Sequence, residues 1–276
     1  MFRGFYTAAS GMLTQQRKTE ILTNNLANVN TPGYKSDDAS TRAFPEMLLQ
    51  RIDATKFGNR TMSLRTSSLV GSLNTGVYIQ ETTPSFRQGD LSKTELSTDF
   101  ALREFEMPQN NDGNPSSIFF TVENPDGGEF YTRNGNFTLD AEGYLTTAKG
   151  YFVLDADGNR IQLRNGDFTT TEEGYIEQNG EYIARLGVSF ANNANLLRKN
   201  AQGLFELEGG GALPSAYGID GVRFSVNQGY IERSNVDATQ TMTELLSAYR
   251  TFEANQKILQ AYDQSMGKAV NEIGKL

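Results

Sequence analysis

The sequence predicts an α+β protein in which long N- and C-terminal helices pair in a coiled-coil-like bundle, with a central, mainly antiparallel β domain between them in the chain. Three observations predict it. Both ends of the chain place apolar residues at alternating steps of three and four, the spacing of a helical seam. Between Val77 and Tyr230 the pattern changes to short runs of Phe, Tyr, Val, Ile and Thr cut by Asp-Gly and Glu-Gly pairs, as in hairpin-linked strands. A Pro-Gly pair at 32–33 separates the N-terminal helical pattern from the rest of the chain.

Residues 1–35 read as an N-terminal assembly helix and its stop. From Phe2 to about Val29 there is no proline, and Gly4 and Gly11 are the only breakers. The seam runs Phe5, Ala8, Met12, Gln15, Thr19, Leu22, Leu26, Val29. It ends at Asn28-Val29-Asn30-Thr31-Pro32-Gly33-Tyr34, where Pro32 disfavours helical geometry at Thr31 and Gly33 can take positive φ. Asn24, Asn25 and Asn28 offer amides to helix ends or neighbouring helices, local capping being the blander alternative.

Residues 36–76 are Ser/Thr/Arg-rich, with one short apolar group from Phe44 to Ile52, and read as an extended connector. Residues 77–232 read as the central β domain. Within it Gly135-Asn-Phe-Thr-Leu-Asp-Ala-Glu-Gly-Tyr-Leu145 recurs as Gly166-Asp-Phe-Thr-Thr-Thr-Glu-Glu-Gly-Tyr-Ile176, which predicts two similar hairpins in one sheet or barrel. Residues 233–276 read as the C-terminal assembly helix, with Asn235 as N-cap. Its seam is Ala238, Met242, Leu245, Tyr249, Phe252, Gln256, Leu259, Asp263, Met266, Val270, Ile273. A second row, Ala248, Phe252, Leu259, Tyr262, Met266, Ala269, Ile273, Leu276, is broken only by Asn255. Two adjacent rows are wider than one partner helix covers. At 1.5 Å per residue the helix would run roughly 55 to 60 Å, more than a compact body shelters.

Composition narrows the chemistry. The chain has 276 residues and a net charge of −8, which argues against a protein that works by neutralising nucleic-acid phosphates. Residues 1–35 carry Arg3, Arg17, Lys18 and Lys35 against Glu20, so the acidity falls in the middle. Cys and His are both absent, which excludes the usual zinc sites, thiol nucleophiles and Ser-His-Asp triads. The N-terminus lacks the apolar run of a signal peptide, and no segment suits a bilayer span, so the chain is expected not to be membrane-inserted.

Turn chemistry accounts for the remaining candidate sites. Asp155-Ala-Asp157-Gly158-Asn159-Arg160 is out of register for an EF-hand and reads as a β-turn between Val153-Leu154 and Ile161-Gln162-Leu163. Asp140, Glu142, Asp155 and Asp157 could supply a glycosidase acid–base pair, but they fall at turn positions. Gly209-Gly210-Gly211 lacks the Lys-Ser of a phosphate cradle. No catalytic residue, metal site or cofactor is expected. A wall-glycan-cleaving enzyme and a signal-less surface adhesin stand as the alternative readings.

Ala9-Ser10-Gly11-Met12, followed by Asn24-Asn25-Leu26-Ala27-Asn28-Val29-Asn30-Thr31-Pro32-Gly33-Tyr34-Lys35, resembles the N-terminal signature of the bacterial flagellar rod and hook family. Gln228-Gly229-Tyr230-Ile231-Glu232-Arg233-Ser234-Asn235-Val236-Asp237 is similar to the C-terminal signature of that family. Tyr131-Thr132-Arg133-Asn134-Gly135-Asn136-Phe137 resembles its central β domain. By length the resemblance points to the distal-rod type or a close relative. One departure is a polar segment with Pro108, Asp112-Gly113 and Pro115 between Thr98-Asp99-Phe100-Ala101-Leu102 and Ile118-Phe119-Phe120. The resemblance implies an axial subunit of the basal body in the cell envelope, exported by the flagellar export apparatus without a cleaved signal. Its implied partners are copies of itself and neighbouring rod and hook subunits. The implied assembly interface comprises Phe5, Met12, Leu22, Asn24, Asn25, Leu26, Asn28, Thr31, Pro32, Gly33 and Tyr34, then Met242, Leu245, Tyr249, Phe252, Leu259, Tyr262, Met266 and Ile273.

Overall fold

The computed structural model describes residues 3–55, 64–108, 114–124 and 128–273. The Asp112-Gly113 and Asp126-Gly127 turns, Phe2, Leu276 and the side chain of Ile273 lie outside the described residues. The chain forms two compact units, 1–24 with 38–83 and 239–276, and 25–37 with 84–238.

The first unit holds most of helix α1 (Arg3–Ala27) and of helix α2 (Ala238–Lys268), with strands β1 (Asp37–Ala43), β2 (Met47–Thr55), β3 (Leu64–Leu73) and β4 (Val77–Pro84). β1 pairs with β4 and β2 with β3, so the segment expected as a connector carries three strands. Small residues set the helix contact. A side chain at Gly4 would meet the Tyr262 ring, and one at Gly11 would lie 3.0 Å from the Asn255 amide. Residues 4 and 11 thus face 262 and 255, and the helices run antiparallel. Hydroxyls fix α1 to the β3–β4 turn: Thr7 donates to the Thr75 carbonyl and Thr14 to the Val77 carbonyl, both at 3.0 Å, while Ser10 accepts from the Val77 N–H.

This corrects the expected bundle. There is one helix from each end, and they make a single antiparallel pair rather than a coiled-coil-like bundle. The reason lies in the width of the α2 apolar face. Its second row turns inward, with Ala248 buried and Phe252, Leu259, Tyr262 and Met266 half-buried. One partner helix cannot cover both rows, so Met242, Tyr249 and Val270 of the first row remain exposed. Asn235 also differs from its expected role, because α2 begins three residues later and the Asn235 side chain bonds elsewhere.

The second unit is all antiparallel. Its strands are β5 (Leu91–Lys93), β6 (Phe100–Glu106), β7 (Ser117–Glu123), β8 (Glu129–Thr132), β9 (Phe137–Leu139), β10 (Leu145–Thr147), β11 (Thr169–Thr170), β12 (Tyr175–Gln178) and β13 (Glu181–Arg185). They continue with β14 (Val188–Ala191), β15 (Leu197–Lys199), β16 (Phe205–Leu207), β17 (Arg223–Gln228) and β18 (Tyr230–Glu232). The largest sheet has the order β14-β7-β8-β16-β15. β7 is buried at every position from Ser117 to Val122 because both its faces are covered. Ile118, Phe120 and Val122 join Phe100, Leu145 and Ile176 in the main core, while Phe119 packs against Phe86 and Phe205 in a smaller one.

Among the described residues one turn occurs five times and accounts for the internal repeat. Asp140, Thr147, Asp155, Thr171 and Asn200 each accept, through a side-chain oxygen, the backbone N–H four residues on. The glycine three residues on donates to the same residue's carbonyl with φ between 80° and 84°. The two repeat copies are hairpins β9–β10 and β11–β12. They lie in different sheets, contrary to expectation, because β12 goes on to pair with β13. The 155–160 segment is the expected turn, closed by a hydrogen bond from the Asp155 N–H to the Asn159 carbonyl. The polar departure after β6 is drawn together at its base, where Ser116 donates to the Pro108 carbonyl at 2.6 Å.

Two of these glycines share a backbone conformation but not a neighbourhood. A Cβ at Gly158 meets open space, whereas one at Gly143 runs into the Leu163 carbonyl. Gly158→Ala is expected to cost about 1–2 kcal/mol, the left-handed penalty alone, and Gly143→Ala distinctly more. Urea denaturation of the two variants gives the comparison; equal losses would contradict it.

Candidate functional site: where the two helices take root

α1 ends in a tightened turn. The Asn28 N–H bonds the Asn25 carbonyl at 3.1 Å and the Val29 N–H the Leu26 carbonyl at 3.3 Å. Pro32 comes next, then Gly33 at φ +67°, whose N–H donates to the Glu232 carbonyl at 2.8 Å. Any Cβ at Gly33 would collide with the Arg133–Asn134 backbone. The stop therefore does more than end a helix: it lays the departing chain against the strand that leads into α2.

Two asparagines hold this crossing. Buried Asn25 donates to the Asp37 carbonyl at 2.9 Å, and its side-chain oxygen accepts the Asp37 N–H at 2.9 Å and the Tyr34 hydroxyl at 3.1 Å. Asn235 accepts the Ser36 N–H at 2.8 Å and donates to the Ser85 and Arg87 carbonyls at 2.7 and 3.1 Å. One amide thus serves each root, bonding backbone groups of the segments that cross there. Burial, aided by the Asp37 charge, pushes the Tyr34 hydroxyl pKa up. Lys199 covers Tyr34 with its ammonium 3.7 Å from the ring centre and 3.6 Å from Asp37 Oδ2.

Beneath lies a closed network of four charges. Lys35 Nζ bonds Glu232 Oε1 at 2.7 Å and the Arg87 carbonyl at 2.8 Å. Glu232 Oε1 also accepts the Gly89 N–H, while Oε2 accepts Arg133 Nε at 2.8 Å. Arg133 Nη1 reaches Glu104 Oε1 at 2.6 Å and the Ile118 carbonyl at 2.8 Å, and Glu104 in turn takes the Ser117 hydroxyl and the Ile118 N–H. Lys35, Arg133 and Glu232 are each about 1 % exposed, so the charges are matched out of water. Burial opposes the charged state of all three. At Glu232 two cations and the Gly89 N–H overcome it, and the carboxyl pKa falls. At Lys35 burial and the nearby Arg133 charge outweigh Glu232, and the ammonium pKa is pushed down to about 8.

The structure brings Asn25, Pro32, Gly33 and Tyr34 into this site, with Asn28 and Thr31 on the turn above it, where the Thr31 hydroxyl bonds Asn28 Oδ1. Asn24 lies on the outer side of α1. Leu22 is buried, while Phe5, Met12 and Leu26 are half-buried. On α2, Leu245, Phe252, Leu259, Tyr262 and Met266 are half-buried and Met242 and Tyr249 exposed. Lys35, Arg133 and Glu232 fall inside the sequence motifs but carry no role there, and Glu104 stands outside them. The available signal was weak, since these are three of five charged residues inside the motifs, Arg233 and Asp237 being the others. The carboxylates considered as an acid–base pair serve turns instead: Asp140 Oδ1 accepts from Glu142 and Tyr144, and Asp155 Oδ1 from Asp157 and Asn159.

Three family models match the chain. The flagella basal body rod protein model covers residues 5–35, the flagellar hook protein FlgE/F/G D1 domain model 117–163, and the flagellar basal body rod FlgEFG protein C-terminal model 227–272. The first and last contain the two roots, and the second contains Arg133. Over its full length the chain is 43% identical to all of the flagellar hook-basal body complex protein FlhO of Bacillus subtilis. It is 30% identical to the flagellar basal-body rod protein FlgG of Buchnera aphidicola, over 97% of this chain and 98% of that one. It is also 30% identical to FlgG of Borreliella burgdorferi, over 98% of each.

Removing one member of a buried charge network strands the others, so Arg133→Met is expected to cost about 3–5 kcal/mol in denaturant titrations. Gly33→Ala is expected to cost at least about 2 kcal/mol. The folded-state pKa of Glu232 lies below its ordinary 4.5. Its contribution is therefore present above that value and lost as pH falls through the lowered one. Thermal melts between pH 5 and 2 should accordingly show a shallower acid decline for Glu232→Gln than for the parent; parallel declines would contradict the assignment.

Proposed function

The chain belongs to the flagellar basal-body rod protein family, and from that premise we propose how it works as a structural subunit of the bacterial flagellar basal-body rod. The observation that carries the mechanism is the buried network joining Lys35, Arg133 and Glu232, which fixes the exits of both helices to the β unit. Torque on a shaft passes between subunits through packed helices. It reaches the body of each subunit through the roots, where slippage would require pulling matched charges apart in a water-poor interior. The subunit self-assembles through the apolar rows of its terminal helices. The implied interface residues act in two groups: Met242 and Tyr249 stay exposed for contact between copies, while Phe252, Leu259, Tyr262 and Met266 line the helix contact within each copy and Asn25 to Tyr34 hold its root.

The domain reading keeps the same division of labour: 1–35 and 233–276 are the assembly segments, 36–76 connects, and 77–232 is the central β domain. The subunit is of the distal-rod type or a close relative, its partners are copies of itself and adjoining rod and hook subunits, and the flagellar export apparatus delivers it without signal cleavage. Among the described residues no helix is long and apolar enough to cross a membrane.

Purified basal bodies carrying a tagged full-length chain are expected to show the tag along the rod by immunogold microscopy, with the N-terminus intact by mass spectrometry. A tag confined to the cytoplasm, or a shortened N-terminus, would count against this reading.

A further inference from the structure

A cleft of about 630 Å³ opens in the second unit, lined from β6, β17, β13 and the segment 216–218. A β-bulge shapes one wall. Arg223 pairs with Glu106 and Phe224 with Glu104, so Phe105 is the extra residue of β6. The bulge breaks the alternation of the strand and leaves Phe105 and Glu106 both exposed. Phe105 is 57% exposed, with the Arg103 guanidinium 4.9 Å from its ring centre. A second wall is a stack. Arg185 carries its guanidinium 3.5 Å from the Tyr217 ring centre and 4.5 Å from that of Tyr175, while its Nε donates to the Glu173 carbonyl at 3.0 Å. The Tyr217 hydroxyl donates to the Leu186 carbonyl at 2.8 Å, and its ring lies 5.3 Å from that of Phe224. Glu106 and Arg223 stand 3.7 Å apart, short of a hydrogen bond, and Glu173 is exposed on the same cleft.

We propose that this cleft binds a neutral oligosaccharide, with a pyranose ring against Phe105 and its hydroxyls on Glu106, Glu173 and Arg223. The lining selects that class. Aromatic faces are electron-rich and attract the C–H groups on one face of a sugar ring. Carboxylates accept and guanidiniums donate in pairs, which suits neighbouring hydroxyls. Glu106 and Glu173 balance Arg185 and Arg223, so no net charge favours a phosphate or a strongly charged peptide. A wholly apolar ligand would strip water from those four groups and return no hydrogen bond. Arg103 and Arg185 steady the rings beforehand, so binding orders little. The site uses no residue of α1 or α2, and it gives the β unit a role beyond the rod reading.

The test is a ligand-observed NMR titration of the full-length chain with cellotetraose and with chitotetraose. At least one is expected to bind saturably, with Kd about 1 mM or tighter and magnetisation passing to its ring C–H protons. Phe105→Ala and Glu173→Gln, both at exposed positions, should each weaken binding about tenfold without moving the melting temperature. Leu196→Ala, exposed outside the cleft, should leave binding unchanged. Absence of saturable binding by both sugars overturns the proposal, as does binding that Phe105→Ala leaves intact. So does a proline-rich peptide that occupies the cleft where the sugars do not, or an anionic tetragalacturonate that binds more tightly than either neutral sugar. A chain that assembles normally and binds neither sugar refutes the cleft alone and leaves the rod reading standing.

Discussion

The crossing where the two helices take root depends on one constraint: Glu232 must find both Lys35 and Arg133 in a place water does not reach. Buried charges are tolerated only when each is paired and its remaining donors and acceptors are bonded. Here the Arg87 carbonyl, the Gly89 N–H, the Ile118 carbonyl and Glu104 complete the set. A cluster of that kind has few alternative arrangements, so it fixes the paths of the chain segments that supply it. Gly33 is compelled by the same geometry, because the chain must lie flat on Arg133–Asn134 for Lys35 to arrive. Residues 197 apart in sequence are thereby held at one point.

The helices obey a different logic. Their mutual contact relies on the absence of side chains at Gly4 and Gly11, which lets Tyr262 and Asn255 approach, and it uses only one face of α2. The face left outward is apolar at helical spacing, a poor surface for a solitary protein and a suitable one for a subunit among copies. The hydroxyls of Thr7, Ser10 and Thr14 lie on an adjacent face, anchoring α1 to the β3–β4 turn by backbone contacts that no neighbouring copy has to supply.

Much of the fold is legible in the sequence. The helices, the stop at Pro32-Gly33 and the hairpin pattern come from local spacing, and local spacing is visible in a single sequence. The five repeated turns are half visible, because a polar residue with a glycine three positions later is a local signal, whereas the sheet each hairpin joins depends on distant partners. Lys35–Glu232 could not be read, since nothing in a sequence pairs two charges across the length of the body. The bundle was over-read for a related reason. Apolar rows declare that a helix face must be covered but not by what, and inside one chain only one row of α2 finds cover.

The central claim is that the apolar rows of the two helices are completed between copies while the roots are complete within each. Hydrogen–deuterium exchange of the soluble monomer and of assembled rods separates these directly. The account predicts that amides of residues 3–24 and 239–268 gain protection strongly on assembly, while 33–36 and 232–235 are already slow in the monomer and change little. Helices equally protected in both states, or roots that become protected only in the rod, would contradict it.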